Sequence, residues 1–305
     1  MFHLPRRQPP GPKLPLKQRA RRQAIRLVKL LVIAYIGIGL MLALLQTRLI
    51  FIGASTQNTP DAVVEPPPLS ELVHLQAAGA TPITGLFGRS VEGASATARR
   101  PTVLFFYGNA MCMKDALANF HDFRRAGANV MIVDYEGFGM SGGKPSEQGC
   151  YATAEAAYQY LLTRTDIDRH NLVPAGWSLG AAVAIDLAAK HAKDHTLSGV
   201  MTFSAFTSMV DTAQHHYPIF PISLMLMHRF DSLSKMPAIN VPLLMVHGRL
   251  DDIVPYAMHA RLRAAATAPV TDLTLDHAAH NDLFDADEAT LQPAIEKFLR
   301  ARSTL

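Results

Sequence analysis

One pentapeptide, Gly176-Trp177-Ser178-Leu179-Gly180, constrains the fold of this chain more than any other feature. It follows the apolar run Asn171-Leu172-Val173-Pro174-Ala175 and opens an alanine-rich helix candidate at 181–190. A strand, a sharp turn with serine at its apex and a helix are the setting of a nucleophile elbow. The glycines let the backbone turn where a Cβ would collide, and the turn holds the Ser178 hydroxyl clear of the sheet. The same turn aims the Leu179 N–H at the place where an oxyanion would form. Alone, the pattern is weak: a Gly-x-Ser-x-Gly arises by chance in roughly one chain in ten of this length. It then marks only a glycine-rich turn with an ordinary serine.

Chain order adds the missing weight, because an acid and then a histidine should follow such a nucleophile. The acid comes from Val241-Pro242-Leu243-Leu244-Met245-Val246-His247-Gly248-Arg249-Leu250-Asp251-Asp252. Its apolar run reads as a buried parallel strand. Asp251 is the favoured acid and Asp252 the fallback; a helix N-cap is the plain alternative for either. The histidine comes from Leu273-Thr274-Leu275-Asp276-His277-Ala278-Ala279-His280-Asn281-Asp282, a short edge-strand candidate and the loop after it. His280 is the favoured base. His277 and His280 could instead suggest a metal site, but no third ligand stands at an obvious spacing. No metal or organic cofactor is implied.

With these stretches in view, the chain resembles the α/β-hydrolase superfamily, in particular small serine hydrolases with one N-terminal membrane anchor, a branch whose members include depalmitoylase-like proteins. The resemblance covers about residues 45–300. It also rests on Val103-Leu104-Phe105-Phe106-Tyr107-Gly108-Asn109-Ala110, similar to the oxyanion loop after the family's third strand, and on Asp134-Tyr135-Glu136-Gly137-Phe138-Gly139 and the residues to Ser146. Phe206-Thr207-Ser208, His216-Tyr217-Pro218, Arg229-Phe230-Asp231-Ser232 and His280-Asn281-Asp282 add to it. Two departures stand out. Tyr107 precedes Gly108 where the family usually has His, and Glu136 stands where Arg is common. The resemblance implies an α/β-hydrolase fold, a mostly parallel central sheet with helices on both faces and a short helical cap. It implies an oxyanion hole from the backbone of Leu179 and of Asn109, or of Ala110.

Local patterns fit that architecture. Strands are predicted at 72–76, 83–87, 102–107, 129–135, 172–175, 200–204 and 243–247, and helices at 115–126, 149–163, 179–192, 256–266 and 289–302. Such alternation means a mostly parallel sheet covered on both faces. Residues 90–100 read as a polar surface loop. The long connection at 205–240 reads as the cap, in which Ile219, Phe220, Leu224 and Met227 could line an apolar acyl slot. Ordinary packing against the sheet is the alternative.

Charge is placed unevenly. The first 29 residues hold nine Lys or Arg and no acid, leaving 20 basic and 25 acidic residues elsewhere. The high pI therefore belongs to the tail, and no nucleic-acid partner is expected. The tail runs into 16 uncharged apolar residues at 30–45. A span needs about 20, and Leu27 and Val28 extend the run if Lys29 snorkels. A signal peptide is the alternative, but Gln46-Thr47-Arg48 follows where a small-residue cleavage site should be. The expected organisation is a basic, disordered cytoplasmic tail at 1–26, a transmembrane signal-anchor at 27–52, a linker at 53–70 and a catalytic domain at 71–305. Asn58 to Pro68, with four prolines, reads as a linker or as a clamp onto the domain. Bases on the N-terminal side place that end in the cytoplasm and the catalytic domain on the other face, periplasmic if the cell is bacterial. Cys112 and Cys150 make no disulfide framework and read as buried fillers.

The expected function is a membrane-anchored serine hydrolase acting on a small acyl ester, thioester or lipid. A serine peptidase of the same fold and a non-catalytic membrane scaffold are the competing readings.

Overall fold

The computed structural model describes residues 15–91 and 100–303. It divides into two compact units, one reaching to Leu45 and one running from Gln46 to Leu305. The helix α1, Leu16–Ile50, makes up the first unit and enters the second with its last turn. Among the described residues it is the one helix long and apolar enough to cross a membrane. At 1.5 Å per residue it is about 50 Å long.

The second unit is built on one sheet of eight strands: β1 Ser70–Ala77, β2 Thr81–Gly88, β3 Thr102–Phe106, β4 Asn129–Val133, β5 Leu172–Trp177, β6 Val200–Phe203, β7 Leu243–Gly248 and β8 Val270–Leu275. Their order across the sheet is β1-β2-β4-β3-β5-β6-β7-β8. β1 and β2 form an antiparallel hairpin, β2 lies antiparallel to β4, and every pair from β4 onward is parallel. The continuous apolar runs are the inner strands: β3, β4, β6 and β7 are buried at every position. β8 alternates polar and apolar residues and lies half-exposed at the edge. This is how strands covered on both faces differ in sequence from a strand that faces water.

Helices fill the crossovers: α2 Leu117–Arg125, α3 Glu147–Thr163, α4 Leu179–Lys190, α5 Met209–His216, α6 Ile222–Met225, α7 Tyr256–Ala265 and α8 Glu288–Arg300. Ser146 caps α3 by accepting the Gly149 N–H at 2.9 Å, and Ser208 caps α5 by accepting from Asp211 at 2.9 Å. Both caps satisfy donors that a helix start leaves unpaired. α4 is apolar nearly all round, and so it sits inside, against β3, β5 and β6. Cys112 and Cys150 are free and buried.

The strand order reverses between β3 and β5. β4 lies on one side of β3 and β5 on the other, so the crossovers leave in opposite directions and open a crevice at the carboxyl ends of these strands.

Two expectations change. The tail is not disordered to residue 26, because α1 starts at Leu16; residues 1–14 lie outside the described residues. The 53–70 stretch is a clamp rather than a free linker. Phe51, Ala62 and Val64 are buried, the Gly53 N–H donates to Asn109 O at 2.7 Å, and the Asn58 N–H donates to Gly139 O at 2.8 Å. The Gln57 side chain adds bonds to the carbonyls of Ser141 and Gly143. Two short 3-10 turns, Ile52–Thr56 and Pro60–Ala62, fold this segment, and its buried side chains and amides hold it down, so the compact unit begins at Gln46 rather than at 71. The polar loop expected at 90–100 lies outside the described residues at 92–99.

Candidate active site

Ser178 follows β5 directly and precedes the first residue of α4. Its backbone is at φ 55° and ψ −114°, a region that residues with a Cβ avoid. The surroundings hold it there: the Ser178 N–H donates to Phe203 O at 2.9 Å, and its carbonyl accepts from Ala181 at 3.0 Å. The two glycines have steric reasons. A Cβ on Gly176 would lie 2.0 Å from the Gly180 carbonyl oxygen, and one on Gly180 would lie 2.0 Å from the Phe106 carbonyl oxygen. Both obstacles are backbone, which cannot swing aside. Gly180→Ala is therefore expected to destabilise the fold by about 3 kcal/mol or more. An unchanged thermal unfolding midpoint would show that α4 can move off β3.

The sheet order brings two side chains to Ser178. His280 lies on the loop after β8, and its Nε2 is 2.9 Å from Ser178 Oγ. Its Nδ1 is 2.8 Å from Asp251 Oδ2, on the turn after β7. All three residues are buried. Asp251 Oδ1 accepts the N–H groups of Val254 at 2.7 Å and Ile253 at 3.1 Å, so its other oxygen is left to face the ring. Burial alone would raise the Asp251 carboxyl. The hydrogen bond and electrostatic attraction of the His280 ring, with the Val254 N–H, outweigh that and hold it below the ordinary carboxylate range. An ionised carboxylate only accepts, so Nδ1 carries the proton and Nε2 is the acceptor for the Ser178 hydroxyl. Asp252 is exposed and His277 is exposed. Among the described residues no group of three or more His, Cys, Asp or Glu could hold a metal.

The acid and histidine loops are locked together by backbone. The Leu250 N–H donates to Ala278 O at 3.0 Å, and a Cβ on Gly248 would lie 2.3 Å from the same oxygen. Asp282 accepts the Ala279 N–H at 2.7 Å and tightens the turn that carries His280. The Trp177 ring lies 6.0 Å from the His280 ring, with Phe284 edge-on to Trp177 at 5.6 Å.

The loop after β3 adjoins the serine: a Cβ on Gly108 would lie 3.9 Å from Ser178 Cβ. The Tyr107 side chain points inward, where its hydroxyl donates to Asp134 Oδ1 at 2.8 Å and its carbonyl accepts from the Tyr135 hydroxyl at 2.9 Å. Asp134 also accepts the Met113 and Met140 N–H groups, each at 2.7 Å. Asn109 uses its side chain to donate to Ile50 O at 2.9 Å and its carbonyl to accept from Gly53. Its own N–H has no partner among the described residues. The Leu179 N–H opens α4 and has no carbonyl within the helix to bond.

The cap over residues 205–240 is slight, consisting of α5, the single turn α6, a three-residue 3-10 turn at Met236–Ala238 and irregular chain. Phe220 is buried there, whereas Ile219, Leu224 and Met227 are exposed. The expected slot with all four as its lining is not a buried one, because a four-residue helix cannot cover a full apolar face.

His247, on β7, was not singled out by sequence. It is wholly buried, its Nε2 lies 2.8 Å from Val254 O and 3.4 Å from Asp251 Oδ2, and its Nδ1 has no partner among the described residues. Burial pushes it down to about 4, against the pull of the Val254 carbonyl and Asp251. The unfolded chain takes up this proton near the ordinary imidazole value, so stability is lost as pH falls through that value toward 4. The window is worth at most about 3 kcal/mol. Urea unfolding at pH 7 and near pH 4.5 is expected to show a smaller acid loss for His247→Gln than for the parent chain. Equal losses would show that His247 is already charged in the fold.

The mixed sheet, its crossover helices and the serine on a strained turn after the fifth strand define an α/β hydrolase. The chain belongs to the prolyl oligopeptidase family, which matches residues 117–283. Protein Rv2307c of Mycobacterium tuberculosis is 35% identical over 208 residues, 67% of this chain and 72% of that one. Human alpha/beta hydrolase domain-containing protein 17B is 31% identical over 185 residues, 60% of this chain and 61% of its own length. Among solved structures, the Pyrococcus furiosus esterase Pf2001 superposes with a TM-score of 0.59 at 17% identity, covering 78% of this chain and 99% of that one. Est1E of Butyrivibrio proteoclasticus, with ferulic acid bound, gives 0.63 at 14% identity, covering 76% and 100%. At such identities the two structures speak for the fold.

Proposed function

We propose that this hydrolase is a membrane-anchored serine esterase or thioesterase, with Ser178 as nucleophile, His280 as base and Asp251 as the acid that orients it. One observation carries the reading: the unbroken hydrogen-bonded chain from Ser178 Oγ through His280 to Asp251 Oδ2, at 2.9 and 2.8 Å. His280 Nε2 takes the hydroxyl proton as Oγ attacks the acyl carbon, and Asp251 stabilises the imidazolium that forms. The oxyanion receives the N–H groups of Leu179 and Asn109, each worth about 3 kcal/mol of barrier. His280 returns the proton to the leaving alcohol or thiol. Water, deprotonated by the same nitrogen, then cleaves the acyl-enzyme.

The anchor in this reading is α1, with its basic tail in the cytoplasm and the unit from Gln46 on the opposite side. The substrate class is a small acyl ester, thioester or lipid. The match to a peptidase family supports a second reading, hydrolysis of a peptide bond by the same residues. Fluorophosphonate labelling of Ser178, competed by panels of acyl esters, thioesters and peptides, separates the two. Protection by esters or thioesters is expected; protection by peptides alone would favour the second reading.

A further inference from the structure

Both walls of the Ser178 crevice are hydrogen-bonded to the residues that directly follow the apolar run 30–45. On the cap side, Gln46 Nε2 donates to Met225 O at 3.2 Å, Gln46 Oε1 accepts the Met227 N–H at 2.7 Å, and Thr47 Oγ1 lies 3.2 Å from His228 Nε2. On the other side, Asn109 donates to Ile50 O and accepts from Gly53. Gln46 is the next residue after Leu45. The boundary of any bilayer that holds this run is therefore within a few bonds of the cap.

That same region carries large apolar side chains in the open. Leu224 is 86% exposed, Ile219 70%, Met227 69% and Ile52 52%. The acid turn adds Ile253, whose carbonyl lies 2.9 Å from His216 Nε2 at the end of α5. Apolar residues exposed singly need no explanation, but several on segments hydrogen-bonded to residues 46–53 or to the acid turn do.

We infer that this rim, centred on Leu224 and Met227, lies in the interface of the bilayer that holds α1, so that the mouth of the Ser178 crevice opens onto lipid. The partner is the lipid surface itself. An apolar face of this kind sinks about 5–10 Å into the zone between headgroups and acyl chains. An acyl group then reaches Ser178 from within the leaflet, and its chain need not cross water. This rests on the reading of α1 as the membrane anchor.

The test uses the full chain in phosphatidylcholine vesicles. Both native cysteines are buried, so an added surface cysteine can be labelled. Leu224→Cys and Met227→Cys each carry an environment-sensitive fluorophore, and a nitroxide lipid spin-labelled near the headgroup end of its chain is the quencher. Leu40→Cys reports on the anchor. Arg169→Cys, exposed at the opposite end of the sheet, reports on water-facing surface. The lipid quencher is expected to remove about half the emission at Leu224 and Met227, the depth of an interfacial face, and little at Arg169. If Leu40 is quenched while Leu224 and Met227 behave like Arg169, the rim proposal is overturned and the anchor stands. If the rim probes are shielded from aqueous iodide yet untouched by the lipid quencher, a protein covers the rim and the proposal is equally overturned. If Leu40 is also unquenched, the anchor reading fails and the proposal falls with it.

Discussion

Ser178→Ala is expected to lower ester turnover by about six orders of magnitude, the scale on which loss of the nucleophile disables a serine–histidine–acid unit. The fold should survive, because alanine occupies the same space and the turn at φ 55° strains any residue with a Cβ equally. That strain gives the prediction a second, independent readout. Ser178→Gly should be equally inactive but more stable than Ser178→Ala by about 1 kcal/mol, since glycine reaches positive φ without the Cβ clash. Fluorophosphonate labelling and urea unfolding of the two variants measure both quantities. Undiminished labelling of Ser178→Ala would remove Ser178 from the mechanism.

Asp251→Asn is expected to cost about four orders of magnitude in kcat, whereas Asp252→Asn should cost less than about threefold. An amide can donate to Nδ1 as well as accept from it, so it no longer enforces the tautomer that leaves Nε2 free for the Ser178 hydroxyl. Asp252 is exposed, and its neighbour takes both the ring and the turn amides. The ratio of the two kcat values tests the assignment; a larger loss at Asp252 would transfer the role of acid.

Those two aspartates show where the sequence stops informing. Both sit in the turn after β7 and both can cap, so the sequence ranks Asp251 before Asp252 without a physical reason that excludes the second. The distinction arises from backbone direction, because the N–H groups of Ile253 and Val254 converge on one carboxylate oxygen. The strands were legible for the opposite reason. Val103 to Phe106, Val130 to Val133 and Leu243 to Val246 are apolar without interruption, as strands covered on both faces must be. Their lateral order was not legible, since the same runs would suit several pairings. The clamp at 51–64 was open to two readings, because its prolines fit either and its anchoring bonds go to backbone atoms of distant loops. His247 escaped notice for a related reason: in a strand of buried residues, one histidine carries no pattern, and its closeness to Asp251 comes from the turn that follows. The exposure of Leu224 and Met227 also depends on how short α6 is, which periodicity over so few residues does not reveal.

The position of β8 at the far edge of the sheet has a consequence for biosynthesis. Ser178 leaves the ribosome roughly a hundred residues before His280, which takes its place only when β8 has added to β7 in register from Leu243↔Val270 to Gly248↔Leu275. Until that last pairing closes, the nascent chain displays a serine with no base beside it. The α1 segment has emerged long before. If α1 is the anchor and His280 the base, as proposed, the chain reaches its membrane before it can attack an ester, and a product truncated after β7 lacks both the base and the buried Leu291, Ile295 and Phe298 of α8.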